Sequence, residues 1–96
     1  MNIQLLKFTT GEEVVFEVVE ENAETLVVKN GLTMVFDGSS IRAIPYSVNI
    51  DDGQELTISQ DDLIFVTSPR KDLKDQYQTQ FSGIIVPDTG IITKAS

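Results

Sequence analysis

Residues 11–36 read Gly11-Glu12-Glu13-Val14-Val15-Phe16-Glu17-Val18-Val19-Glu20-Glu21-Asn22-Ala23-Glu24-Thr25-Leu26-Val27-Val28-Lys29-Asn30-Gly31-Leu32-Thr33-Met34-Val35-Phe36. Large apolar side chains fall on the even positions Val14, Phe16, Val18, Leu26, Val28, Leu32, Met34 and Phe36. Glu17, Thr25, Lys29 and Thr33 stand between them, with Val15 and Val19 as exceptions. A period of two is the mark of strands with one buried face. The polar break at 20–24 and the pair Asn30-Gly31 punctuate the pattern. Asn30-Gly31 fits either a two-residue hairpin turn or a bend within one long strand.

The flanking segments continue the theme. Ile3-Gln4-Leu5-Leu6-Lys7-Phe8 reads as a first strand, and Thr9-Thr10-Gly11 as the turn into a second strand over about residues 12–20. Asp37-Gly38-Ser39-Ser40 is a turn, and residues 40–50 read as a fourth strand. Its apolar phase shifts between Ile41 and Ile44, which predicts a bulge, and Pro45, unable to donate to a ladder, sets that stretch at an edge or a bulge. After the turn at Asp51-Asp52-Gly53 come a short extended piece, Leu56-Thr57-Ile58, and a last strand, Leu63-Ile64-Phe65-Val66. That last strand is apolar on both faces, which predicts a central position or a subunit contact.

The character then changes. Ser68 suits an N-cap, Pro69 a first helical position, and Gly83 a stop. Leu73, Tyr77 and Phe81 recur at i, i+4 and i+8, so a helix is expected over 69–82, its apolar stripe packing on the mouth of a β-barrel. The domain organisation expected is therefore a β domain over 1–67, the helix over 68–82, and an extended apolar tail over 83–96. That tail is expected either on its own barrel or along a neighbour's sheet edge.

Composition narrows the chemistry. With 96 residues the chain is one domain, able to bury a modest core with little margin. It has no cysteine, histidine or tryptophan. The commonest nucleophiles, acid–base groups and zinc ligands are thus missing, so no enzyme, cofactor or metal site is expected. The net charge is −8, and six of the fifteen acids lie between Glu12 and Glu24 with no base among them. Such a field opposes binding by phosphate neutralisation and reads as a solvated strand face. No apolar run approaches a membrane span, and no leader segment is read before the first strand.

Four groupings bring together residues of types capable of chemistry. The acids Asp51, Asp52 and Glu55, with Asp61 and Asp62 nearby, lack the alternating spacing of a calcium loop. The glutamates at 12–24 lack the burial that raises a catalytic carboxyl. The glycines are isolated at turns and form no phosphate cradle. Arg70, Lys71 and Lys74 interleave with Asp72 and Asp75 as an ordinary mixed-charge helix face.

Five short strands followed by a helix, with Leu6-Lys7-Phe8-Thr9-Thr10-Gly11-Glu12-Glu13-Val14 and Leu26-x-Val28, resemble the first motif of the Sm-like family. Ile44-Pro45-Tyr46, Ser68-Pro69 and Tyr77-x-x-x-Phe81-Ser82-Gly83-Ile84-Ile85-Val86-Pro87 are similar to the small Sm-like proteins of tailed bacteriophages. The resemblance implies a mainly β fold: a small, strongly bent, five-stranded antiparallel Sm-like barrel with one C-terminal helix. It also implies a homo-oligomeric ring, with an interface through Ile44, Tyr46, Leu63 and Phe65. Localisation in the cytoplasm, that of the host if phage-encoded, goes with it.

Sm-like RNA binders carry an Asp and a Met-Asn pair in the loop after the second strand, where this chain has Glu21-Asn22-Ala23-Glu24-Thr25. The Arg-Gly of their second motif is also missing, with Arg70 the only base near the last strand. Two functions are therefore expected. One is a non-enzymatic assembly module with a protein partner. The other is single-stranded RNA binding at the ring pore through Asn22 and Thr25, with Arg70 or Lys71 on the phosphates.

Overall fold

The computed structural model describes residues 1–81. Within them the elements are β1 (Ile3–Phe8), β2 (Glu13–Glu21), β3 (Thr25–Asp37), β4 (Ser40–Pro45), β5 (Leu56–Ser59), a 3-10 turn (Gln60–Asp62), β6 (Leu63–Thr67) and α1 (Lys71–Phe81). All strand pairings are antiparallel. The sheet runs β4-β3-β2-β1-β6, and β5 pairs with β3 off that path.

Six strands form where the pattern predicted five, because the short extended piece Leu56-Thr57-Ile58 pairs with β3 as a strand of its own. β4 pairs with the second half of β3, Leu32 opposite Pro45 through Asp37 opposite Ser40. β5 pairs with the first half, Thr25 opposite Ser59 through Val28 opposite Leu56. The two thus lie end to end along one edge of β3. The strand expected over 40–50 stops at Pro45, which has no N–H for a ladder. Tyr46 donates the last backbone bond, to Gly31 O at 2.9 Å, and residues 46–55 then leave the sheet.

Asn30-Gly31 is a bend in one long strand. Asn30 has φ of 55°, which an Asn tolerates better than a branched residue. The bulge expected between Ile41 and Ile44 is absent: the β3–β4 register is unbroken. Ile41 and Ala43 are half-buried on one face of the ribbon, and Ile44 is exposed on the other, so the apolar phase shift reflects two faces. Register shifts occur instead in β2, between Val15 and Glu17 and between Val18 and Glu20. Such shifts sharpen the local twist of a strand.

Both faces of the sheet are covered at its centre, which explains the exception at Val15. Leu6, Phe8, Val14, Phe16, Val18, Leu26 and Val28 form one core, with Leu56, Ile58 and Leu63 packed against it. Ile3, Val15, Leu32 and Tyr77 form another on the opposite face, with Leu5, Met34, Ala43 and Phe81 beside it. Val14, Val15 and Phe16 are therefore all buried in succession. Val19 remains exposed.

The sheet is curled. The 3-10 turn Gln60–Asp62 carries the chain from β5, on the edge of β3, to β6, on the edge of β1. Three residues in that conformation rise only about 6 Å. β3 and β1 are separated by β2 in the sheet order, so the sheet must fold back to bring these edges near. No ladder joins β5 to β6 among the described residues, and the sheet is not closed.

The helix starts at Lys71, two residues later than Ser68 and Pro69 predicted; its first backbone bond runs from Lys74 N–H to Arg70 O. It lies on the face of the sheet away from the first core, where Tyr77 and Phe81 pack with Ile3, Leu5, Val15, Leu32 and Met34 and where Leu73 is buried. Ser82, the Gly83 stop and the tail over 83–96 lie outside the described residues.

Candidate functional site

The β2–β3 turn is built by its own polar side chains. Asn22 N–H donates to Thr25 O at 2.9 Å. The Asn22 side-chain amide donates to Thr25 Oγ1 and to Glu20 Oε2, both at 3.2 Å. Gln60 Nε2 closes the turn from the other side by donating to Asn22 O at 2.7 Å. Asn22 and Thr25 are thus brought together, and each satisfies the other.

Arg70 and Lys71 stand elsewhere. The Arg70 guanidinium sits 5.5 Å from the centre of the Phe36 ring and 2.8 Å from Asp72 Oδ2. Lys71 Nζ pairs with Asp75 Oδ2 at 2.8 Å. Phe36 and Thr25 belong to opposite ends of β3. Within one chain, then, the four residues expected to hold RNA form two separate pairs, and both bases already have acidic partners. All these groups are largely solvent-exposed, so each ion pair is a weak restraint.

The four residues expected at a subunit interface also divide. Ile44 is exposed on β4, at one end of the strand order, and Phe65 is exposed on β6, at the other. Tyr46 is anchored by rings inside the protein: it lies parallel to Phe8 at 6.2 Å and edge-on to Phe16 at 5.5 Å. Leu63 turns towards the first core. The strand over 63–66 is therefore a sheet edge and not a central strand.

Sequence reasoning missed the exposure of Phe36, near the tip of the β3–β4 ribbon, whereas the two-faced apolar character of β6, where Ile64 and Val66 are exposed, was legible. The signal was present in the unbroken run Leu63-Ile64-Phe65-Val66, since a half-buried strand has no use for apolar side chains on both faces. β6 pairs Val66 with Leu6 and Phe65 with Lys7, which puts these apolar groups on opposite faces of the same unpaired edge.

Among the described residues no three carboxylates converge as a metal site, and no helix is long and apolar enough to cross a membrane. Glu13 is paired with Lys7 at 3.3 Å, and Glu12 accepts a hydrogen bond from the Thr10 hydroxyl at 3.0 Å. What distinguishes the surface is the pair of exposed apolar strand edges, β4 and β6. No protein-family model and no curated protein matches the chain.

Proposed function

We propose that the chain is a non-enzymatic, Sm-like assembly module that forms a homo-oligomeric ring and presents it to a protein partner. The observation that carries this reading is that, among the described residues, the two ends of the sheet are both unpaired and both carry exposed apolar side chains, β4 with Ile44 and β6 with Phe65. Long apolar edges drive strand pairing between chains unless they are blocked. Two different edges meeting head to tail give a heterologous contact, which closes into a ring when the rotation per subunit permits.

Two further features support the Sm-like part of the proposal. β4 and β5 taken as one interrupted strand leave five, and the three-residue link between β5 and β6 draws the curled sheet towards a barrel. Tyr46 and Leu63 then serve as the inner flank of the contact, held by the core, while Ile44 and Phe65 make it. A phage setting, and with it the host cytoplasm, rests on the sequence resemblance alone.

The absence of native cysteine makes a clean test. A chain carrying both Ile44→Cys and Phe65→Cys, treated with a short bismaleimide, should give a ladder of cross-linked species that ends at one size. Either single variant should stay uncross-linked. Equal cross-linking in the singles and the double would overturn the head-to-tail edge contact.

A further inference from the structure

A groove of about 440 Å³ opens beside β5. All four residues of β5 line it, so it runs along the strand and not across one face. β5 pairs only with β3, which leaves its other backbone edge without a ladder among the described residues. The parallel rings of Phe8 and Tyr46, 4° apart in plane, supply an apolar floor. Glu12 and Asp62 line the same groove, and among the described residues no Lys or Arg does.

These features select one kind of occupant. A free strand edge takes an extended backbone, and alternate side chains of such a segment then point the same way. Aromatic faces accept either apolar groups or cations, and the carboxylates require cations. A second copy meets these needs poorly: its β6 edge, Leu63–Thr67, carries no charge and would cover Glu12 and Asp62 without a counter-charge. A nucleic acid would bring phosphates against the same two acids.

We infer that this groove captures an extended, basic segment of a partner protein, added as a strand beside β5, with an apolar side chain on Phe8 and Tyr46 and Lys or Arg at Glu12 and Asp62. The inference does not depend on ring formation.

The probe is a fluorescent hexapeptide of alternating Lys and Ile, titrated with the full chain at low salt and followed by anisotropy. Glu12→Gln with Asp62→Asn should weaken binding about tenfold or more. Asp51→Asn with Asp52→Asn removes the same charge from a different turn and should change it less than about twofold. A version of the peptide N-methylated at alternate amides, on the edge that would meet β5, should fail to bind. Both charge pairs are exposed, so the folded state is preserved and circular dichroism checks it. Equal weakening by the two double variants would make the attraction a diffuse field and overturn the site. Undiminished binding of the N-methylated peptide would overturn strand addition. No binding by the unmodified chain, including the case where a second copy already fills the groove and the peptide binds only on dilution to monomer, would overturn the proposal outright.

Discussion

Tyr77 joins the helix to the bend of β3. Its ring is fully buried, and its hydroxyl donates to Asn30 O at 2.7 Å, beside Lys29 O at 3.3 Å. Burial, and secondarily the negative charge of Glu17, raise its pKa well above the ordinary phenol range. Below about pH 10 the phenol is protonated whether the chain is folded or not, and its contribution to stability is complete. Above that, the unfolded chain releases a proton that the folded chain retains, so stability falls as pH rises. Tyr77→Phe should therefore cost about 1–2 kcal/mol in urea unfolding at neutral pH, through the lost hydrogen bond. The gap between variant and parent should narrow from about pH 10 upward; a constant gap would remove the titration argument. Gly31 sits at the same bend. A Cβ there would lie 2.5 Å from Phe16 Cε1 and 2.9 Å from Tyr46 Cβ. Phe16 is fully buried and cannot swing away, so Gly31→Ala should destabilise by about 1–3 kcal/mol through overpacking.

At the scale of elements, helix α1 buries Leu73 and Tyr77, and Phe81 packs beside Tyr77. Leu73→Ala should cost about 2–4 kcal/mol, measured by chemical denaturation, since Leu73 is buried between helix and sheet. A loss under about 0.5 kcal/mol would mean that the helix is not docked as described. The strands and this helix were legible because their apolar spacing is a direct consequence of burial on one face. β1 and the bounds of β2 fall where expected, and so does the stripe at 73, 77 and 81. The misreadings have a common cause: period analysis assumes one buried face per element. β2 buries both faces at Val14, Val15 and Phe16, and β4 shows apolar groups on two faces without a bulge. Where β4 ends was not legible, because the partner of Tyr46 N–H is Gly31, 15 positions back in the chain. The groove beside β5 was equally hidden: Phe8, Tyr46 and Asp62 come together only when the sheet curls.

The whole molecule combines an acidic surface with apolar edges. A net charge of −8 opposes close approach of polyanions, and Arg70 and Lys71 are each paired with an acid. A salt titration with single-stranded RNA should accordingly show no salt-sensitive binding. Binding that weakens steeply with salt and is lost in Arg70→Ala with Lys71→Ala would favour the pore-binding function instead. The same net charge limits non-specific association, so assembly has to come from specific edge contacts strong enough to overcome like-charge repulsion. In the proposed ring Ile44 and Phe65, both exposed, would make them. Multi-angle light scattering on the chain at micromolar concentration tests this most directly. The account predicts one homogeneous species whose mass is a whole multiple of 10.6 kDa, unchanged over a tenfold dilution. A monomer of 10.6 kDa across that range would contradict it.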